Sequence, residues 1–297
     1  LDTDIDILEV ATVPTPSPPP TPSPTPVPMD PAAAFVVAPP AASQGEPVVV
    51  RVRAPGARQV VVALDPRTVP LFPLGGGTFA GVLAVPMDTP PGVHQLHATA
   101  VAGDGGAAAW TADLTVWDAR FPRETVTLTE KTVGLLDAAL REQELRRLEA
   151  VWTLASPERM WSGPWTWPVA PAVASGFGAR RTYIPGSLPG RHTGVDLRGG
   201  AGTVVAAPAP GRVALAEELT ARGGTVVLDH GWGVFSAYFH LGRIGVAAGD
   251  TVTQGDSLGE TGATGMVTGP HLHWEVRVMG VAVRPSTWVR GVATAVP

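Results

Sequence analysis

The chain has 297 residues, of which 44% are hydrophobic, so it is long enough for two globular domains with cores of their own. A net charge of −5 without a basic stripe excludes a broad electrostatic attraction to nucleic acid. The absence of cysteine excludes disulfides, thiolate metal sites and a cysteine nucleophile, and no apolar stretch reaches the ~18–20 residues of a membrane span.

The first 29 residues predict an extended linker. Residues 13–28 read VPTPSPPPTPSPTPVP, and proline alternating with serine and threonine favours stiff polyproline II segments over a packed core. A spacer of this kind is typical of envelope proteins, in which it anchors a domain and holds it off a surface. The alternative is a disordered tail of a soluble protein.

Residues 30–118 predict an immunoglobulin-like β-sandwich. Turns of Gly, Pro and Asp separate five short β-like runs: EPVVVRVR, QVVVAL, TFAGVLAVP, HQLHATAVA and AAWTADLTVW. This spacing is typical of all-β sandwiches. His94 and His97 are three residues apart, so they face opposite sides of a strand, and a structural role is expected for both.

Residues 119–167 predict a helical connector, with the helix over 130–155 and Thr129 or Thr132 as its N-cap. Apolar residues recur at helical spacing in it: Leu136, Leu140, Leu148 and Val151. This stripe predicts packing against a neighbouring domain. The tryptophan-rich segment WSGPWTWP at 161–168 is expected to seal the junction with the C-terminal domain.

Residues 168–297 predict a compact antiparallel β domain, so that the chain as a whole is mainly β. β-like segments alternate with Gly turns, and no long helical pattern interrupts them. Three polar stretches rich in Gly or Ser, at 180–191, 219–224 and 261–269, are expected to be loops that wall a groove for an extended peptide.

Two motifs in this last domain concentrate possible metal ligands. His192 and Asp196 are four residues apart, and His271 and His273 are two apart, so each pair emerges on one face of an extended chain. Two imidazoles and one carboxylate suit Zn²⁺, with the fourth tetrahedral position left to water in a catalytic site. The spacing alone leaves open which histidine of the second pair is the ligand.

The order of these motifs resembles the lysostaphin-type, or LytM-like, zinc endopeptidases. HTGVD at 192–196, AYFHL at 237–241 and TGPHLHWEV at 268–276 carry the resemblance. Further matching segments extend it over about residues 172–286, and the first half of the chain is not covered by it. The resemblance implies the duplicated hybrid motif fold and cleavage of peptide cross-links or stems in bacterial peptidoglycan.

The resemblance also implies roles for individual residues. His192, Asp196 and His273 are expected to bind Zn²⁺, which polarises the scissile carbonyl and activates water. By the same resemblance, His240 and His271 are expected to be the two catalytic histidines that do not bind the metal. An imidazole suits general acid–base work because it titrates near neutral pH. Their division into acid and base stays open, with a slight preference for His271 on the water side.

Several other residues have two interpretations. Tyr183 is either an oxyanion donor or a packing residue, and Glu275 either orients a ligand or forms a solvated salt bridge. For His230 a structural hydrogen bond across the sheet is favoured. Arg180 or Arg181 is expected to meet a carboxylate of the substrate peptide.

Two functions of different classes are compatible with these features: a zinc endopeptidase of the cell wall, and a non-catalytic envelope adaptor or regulator on the same fold. A third alternative is the same enzyme with an envelope protein or another peptide as its substrate. All five motif positions are filled, which favours the enzyme. An extracellular or cell-envelope location is expected, and the oligomeric state cannot be inferred. The N-terminal module has three possible roles: binding the wall, binding a partner, or covering the groove.

Overall fold

A computed structural model describes residues 34–103, 105–128, 130–153, 156–184 and 188–291. The predicted linker, residues 1–29, lies outside the described residues. No helix in these ranges is long and apolar enough to cross a bilayer.

The first part of the described chain is entirely β. Its strands are β1 Phe35–Ala38, β2 Ala41–Ser43, β3 Pro47–Arg53, β4 Ala57–Leu64, β5 Arg67–Gly75, β6 Thr78–Ala84, β7 Gly92–Ala102 and β8 Ala107–Trp117. They form one continuous sheet in the order β1-β3-β6-β5-β4-β7-β8-β2. Because β5 pairs with both β6 and β4, it joins the two halves of this sheet.

The two halves enclose a core of alternating residues, as in a β-sandwich. Val48, Val50 and Val52 of β3 share this core with Leu96 of β7 and Leu114 of β8. The mainly β prediction is therefore confirmed, whereas the immunoglobulin-like assignment stays a prediction. The strand β5 was not predicted, because two prolines interrupt its sequence RTVPLFPLG.

The other face of β3 and β6 is buried as well. Val49, Ala80 and Val82 join the core of the C-terminal β-strands rather than that of the sandwich. Phe72 stacks on Trp232 at a centroid distance of 5.5 Å, which adds an aromatic contact between the two parts. The continuous apolar run VVV in β3 therefore reflects burial on both faces of the sheet.

The predicted connector differs from expectation in its helix and its cap. The helical segments are α1 Glu130–Val133, a 3₁₀ turn at Gly134–Leu136, and α2 Ala138–Trp152. The N-cap of α2 is Asp137, which accepts a hydrogen bond from the Leu140 amide at 2.8 Å. Thr132 does not cap this helix, because the 3₁₀ turn separates the first turn from the main helix, and Thr129 lies outside the described residues.

The second half of the predicted apolar stripe packs against a neighbouring domain as expected, while Leu140 is only half-buried. Leu148 and Val151 are buried against Leu215, Val227 and Phe235 of the C-terminal sheet. The tryptophan-rich segment also packs at the junction: Trp161 contacts Trp232 and Trp288 edge to face, at centroid distances of 6.2 and 5.6 Å.

The remaining strands form two sheets. The strands are β9 Arg123–Thr127, β10 Val173–Ser175, β11 Arg180–Ile184, β12 Leu188–Arg191, β13 Val195–Arg198, β14 Val204–Ala206, β15 Gly211–Leu219, β16 Gly223–Asp229, β17 Val234–Ile244, β18 Thr251–Val252, β19 Ser257–Thr261, β20 His271–Val278 and β21 Val281–Val283, followed by helix α3 Pro285–Val289. A ten-stranded antiparallel sheet has the central order β10-β13-β20-β17-β16-β15-β18. This confirms the predicted antiparallel β domain.

The second sheet has three strands in the order β12-β11-β9. Strands β11 and β12 form an antiparallel hairpin, and β9 pairs with β11 in parallel. Residues 180–191, predicted as a loop, are therefore largely a hairpin. Strand β9, which lies in the predicted helical connector, is part of the β structure beside the candidate site.

Candidate metal centre and active site

The candidate ligands meet because two central strands pair in register. Asp196 of β13 lies directly opposite His273 of β20, and Arg198 lies opposite His271. Opposite residues of an antiparallel pair share a face, so Asp196 and His273 emerge side by side. His192 reaches the same point from the short segment between β12 and β13.

Three donor atoms converge within hydrogen-bonding distance of one another. His192 Nε2 lies 3.0 Å from Asp196 Oδ1 and 3.1 Å from His273 Nδ1, and His273 Nδ1 lies 2.8 Å from Asp196 Oδ1. All three residues are buried. No fourth His, Asp or Glu among the described residues joins this group.

The spacing of these atoms fits a small tetrahedral cation. Zinc bonds of about 2.0–2.1 Å to nitrogen and oxygen require neighbouring ligand atoms about 3.3 Å apart. The three observed separations of 2.8–3.1 Å are slightly shorter than that edge. Two imidazole nitrogens and one carboxylate oxygen also form a donor set that zinc accepts.

The His192 ring is held by its second nitrogen. Nδ1 lies 2.7 Å from the carbonyl oxygen of Gly176 and 3.2 Å from Ser175 Oγ. Donation from Nδ1 to the carbonyl leaves Nε2 with a lone pair that faces Asp196 and His273, which is the tautomer that a metal requires.

The His273 ring is held in the same way by a buried carboxylate. Its Nε2 lies 3.2 Å from Glu275 Oε1, which also accepts a hydrogen bond from Thr193. The other oxygen of Glu275 accepts from Arg277 Nε at 2.8 Å. Glu275 is only 1% exposed, so it orients His273, and the solvated salt bridge is wrong.

Asp196 is held by an arginine on its second oxygen. Arg181 Nη2 donates to Asp196 Oδ2 at 2.6 Å and to Ser175 Oγ at 2.8 Å. Arg181 Nε also donates to Glu124 of β9 at 3.2 Å. Since its side chain is only 14% exposed, Arg181 orients Asp196 rather than meeting a substrate carboxylate.

The two further histidines lie beside the ligand group with open ring nitrogens. Nδ1 of His271 lies 2.8 Å from the carbonyl oxygen of Gly269, and Nδ1 of His240 lies 2.9 Å from that of Thr264. Donation from both Nδ1 atoms leaves both Nε2 atoms as acceptors. The two rings are 5.0 Å apart, and His271 Nε2 lies 3.6 Å from Asp196 Oδ1.

His240 occupies an unusual backbone conformation. Its φ of +65° lies in the left-handed region, which a non-glycine residue adopts at a cost and which clusters at functional sites. Its amide donates to the carbonyl of Arg222 at 3.0 Å. The turn that contains Arg222 therefore helps to place the His240 ring.

The electrostatics of the site favour a bound cation. Burial works to raise the pKa of Asp196, but the close polar contacts with the His192 and His273 rings outweigh burial and hold this pKa well below its usual value. Burial works to lower the pKa of His273, yet hydrogen bonds with Asp196 and Glu275 raise it. Two buried carboxylates thus create a potential that stabilises positive charge.

The environment of His240 shifts its pKa in the opposite direction to that of His273. Burial, together with the nearby imidazoles of His273 and His271, lowers the pKa of His240 to about 3. The ring is therefore neutral at pH 7.

Gly194 allows the close approach of His192 and Asp196 to β20. A Cβ atom at this position would lie 2.3 Å from the carbonyl oxygen of Trp274 and 2.9 Å from His273 Nε2. Both distances are too short for any side chain, so this position requires glycine.

The remaining predicted residues lie outside the ligand group. His230 is buried, with Nδ1 2.7 Å from the carbonyl of Pro210 and Nε2 2.8 Å from Ser236 Oγ, which confirms a structural role. Tyr183 is half-buried, packs on Gly190 and interacts with Arg181 two residues earlier on β11, so its choice between oxyanion donor and packing residue stays a prediction. His94 and His97 lie on β7, outside the ligand group.

The residues that orient Asp196 are not predictable from local sequence. The expected role of Arg181 is a substrate contact, and no motif points to Glu124 or Ser175. Glu124 lies 72 positions before Asp196, so only the parallel pairing of β9 with β11 reveals the contact. Nothing in the sequence around Arg181 or Glu124 indicates that the two side chains meet beside Asp196.

Comparison with known proteins identifies the family of the C-terminal part. The model of peptidase family M23 matches residues 190–285. A protein of Haemophilus influenzae described as an uncharacterised metalloprotease is 40% identical over 116 residues, 39% of this chain and 24% of that protein. Peptidoglycan DD-endopeptidase ShyA of Vibrio cholerae is 34% identical over 125 residues, 42% of this chain and 29% of ShyA.

A solved structure extends the comparison over more of the chain. A crystal structure assigned to peptidase M23, from Pseudomonas aeruginosa, is 27% identical with a TM-score of 0.60. The alignment covers 81% of this chain and 92% of that chain. By contrast, the chain spans less than a third of the length of the two curated relatives.

Proposed function

Because residues 190–285 belong to peptidase family M23, we propose that the protein is a zinc-dependent endopeptidase that hydrolyses peptide bonds in the stems or cross-links of bacterial peptidoglycan. The observation that carries this proposal is the convergence of His192 Nε2, Asp196 Oδ1 and His273 Nδ1 within 3.1 Å of one another. Family membership alone is compatible with a domain that has lost this group.

His192, Asp196 and His273 would hold the zinc ion. Their donor atoms suit it, and each ligand is oriented by a second contact: Gly176 for His192, Arg181 for Asp196 and Glu275 for His273. A bound zinc ion supplies Lewis-acid polarisation of the scissile carbonyl and activation of a water molecule.

His271 and His240 would handle the protons. Each ring donates through Nδ1 to a backbone carbonyl, which fixes its orientation and leaves Nε2 as a base. His271 lies nearer to the ligand group and would accept the proton of the attacking water. His240 would then serve the leaving amine, although its neutral resting state requires that it first gain a proton.

The substrate class rests on the relatives. ShyA is named for DD-endopeptidase activity on peptidoglycan, and two Neisseria proteins that are 39% identical over 94 residues are named DD-carboxypeptidase/endopeptidase Mpg. An extracellular or cell-envelope location follows from that substrate. The proline-rich linker at 1–29 would hold the enzyme away from its anchor.

A non-catalytic adaptor on the same fold is the second candidate function. It would be favoured by the loss of a ligand or of an open histidine. Here both histidines are present and oriented through Nδ1, and no fourth His, Asp or Glu among the described residues joins the ligand group. These observations favour the enzyme.

Metal analysis coupled to digestion of purified peptidoglycan tests the proposal. The expected result is about one zinc ion per chain and new peptide termini, with cleavage abolished by a chelator and by His271→Ala. The variant His97→Ala, on β7 outside the site, should cleave like the wild type. Zinc without cleavage, even at high enzyme concentration, would support the adaptor.

A further inference from the structure

Three arginines occupy one row across the three-stranded sheet. Arg180 of β11 lies opposite Arg191 of β12 on one side and opposite Arg123 of β9 on the other. Paired positions of neighbouring strands project to the same face, so the three guanidinium groups emerge together. We call this set the arginine row.

The arginine row faces away from the ligand group. The next residue along β11 is Arg181, whose side chain reaches Asp196, and its partner in β9 is Glu124. Successive residues of a strand point to opposite faces. The sheet therefore presents its acid-paired arginine to the metal centre and the arginine row to the other side.

Two members of the row carry charges that no ion pair balances. In the ranges that the structure describes, no Asp or Glu forms an ion pair with Arg123 or Arg180, and both side chains are exposed. Like charges directly opposite one another destabilise a sheet. An anion bound across the row would remove that repulsion.

The row lines an open cavity of about 680 Å³, whose other lining residues are Arg181, Thr182, Pro189 and Gly190. Arg191 is held in place there. Its Nη1 donates to the carbonyl of Gly178 at 3.1 Å, and its guanidinium lies over the Phe121 ring at 5.0 Å from the centroid. A guanidinium already fixed in this way loses little side-chain entropy when it binds a carboxylate.

We propose that the arginine row binds free carboxylates of peptidoglycan peptides and docks the enzyme on the wall through the face of the three-stranded sheet that points away from the metal centre. This inference rests on the proposed function for its choice of ligand. Neighbouring strands lie about 4.8 Å apart, so the row spans roughly 10 Å and can contact more than one carboxylate. Because the row and the metal centre lie on opposite faces, the bound peptide is a neighbour of the scissile one rather than the same segment.

Binding to insoluble peptidoglycan freed of phosphate polymers tests the proposal. The full chain carries His271→Ala so that the wall stays intact, and retention is measured for R123Q/R180Q. The matched control is R53Q/R58Q, which removes the same charge from two exposed arginines of the β-sandwich. We expect R123Q/R180Q to bind about fivefold more weakly at low salt and the control to bind as before.

A second arm identifies the chemical group. On peptidoglycan whose carboxylates have been converted to amides, the parent protein should bind as weakly as R123Q/R180Q, and the double substitution should cause no further loss. Three results would each overturn the proposal. R123Q/R180Q could bind as tightly as the control, the double substitution could weaken binding to amidated wall as much as to native wall, or it could weaken binding only when phosphate polymers are left in place.

Cleavage of a small soluble cross-linked peptide separates this proposal from the proposed function. With His271 intact, R123Q/R180Q should cleave it within about twofold of the wild-type rate, because exposed charges away from the site contribute little. If the wild type does not cleave it, the proposed function fails, and the binding result still decides the role of the arginine row.

Discussion

Arg181 donates to Oδ2 of Asp196 at 2.6 Å, on the carboxylate oxygen that neither His192 nor His273 contacts. The contact leaves Oδ1 directed at the two imidazoles. Since Arg181 also pairs with Glu124, strand β9 helps to hold a residue of the candidate metal centre. The centre thus depends on a segment that lies outside the matched family region.

Loss of this contact should weaken metal binding. Substitutions of residues that orient metal ligands typically reduce affinity 10–100-fold, so we expect Arg181→Gln to weaken zinc binding by about that factor. The matched control is Arg180→Gln, one residue earlier on the opposite face, which should bind zinc like the wild type. Competition with a zinc-sensitive dye measures both, and equal affinities would refute the role given to Arg181.

Substitution of His271 or His240 should impair catalysis without impairing metal binding. General acid–base groups contribute about 10²–10⁴-fold in rate, so His271→Ala and His240→Ala should lower kcat by a factor in that range. Both variants should retain about one zinc ion per chain, since neither residue belongs to the ligand group. Zinc loss in either variant would mean that the residue is a ligand.

The connector helix should stabilise the turn beside His240. Buried Glu144 of α2 accepts a hydrogen bond from the Ala221 amide at 2.7 Å, and Arg222 in the same turn contacts the His240 amide. The Glu144→Ala substitution leaves the Ala221 amide without its acceptor and should lower the free energy of unfolding, measured in urea, by about 1–3 kcal/mol. Glu142→Ala, at a largely exposed i,i+4 pair, should change the unfolding free energy little; equal effects would contradict the assignment.

The buried His230 should make stability depend on pH. Burial lowers its pKa to about 4 in the folded protein, against 6.5 for an ordinary histidine, so the unfolded chain binds a proton first as pH falls. The stabilising contribution is fully present above pH 6.5 and is lost as pH falls toward about 4, by roughly 3 kcal/mol. NMR titration of histidine-labelled protein measures the pKa of His230 in the folded state. A His230 midpoint near 6.5 would contradict the lowered pKa and the pH dependence derived from it.

The features that depend on short spacing were predictable from the sequence. The two-residue spacing of His271 and His273 places both rings on one strand face, and the strand alternation of the N-terminal segments matches β3, β4, β6, β7 and β8. Which histidine of the pair joins the ligand group was implied only by the family resemblance. The register of β13 with β20 is the structural basis of that choice.

Features that depend on long-range pairing were not predictable. Nothing near Arg123 in the sequence indicates that β9 pairs with β11, and this pairing determines both the contact of Arg181 with Glu124 and the arginine row. The N-cap at Asp137 was missed because the preceding 3₁₀ turn continues the apolar pattern of the helix. The β9–β11 pairing is tertiary, so local propensity carries no record of it, whereas the Asp137 cap is a local contact hidden by a misplaced helix start.

Zinc-edge anomalous diffraction from crystals grown with zinc would locate the metal without reference to activity. We expect a single strong peak about 2.0–2.2 Å from His192 Nε2, Asp196 Oδ1 and His273 Nδ1, with Nε2 of both His240 and His271 outside bonding distance. A peak bound to other side chains, or no peak at these three residues, would contradict the proposed metal centre.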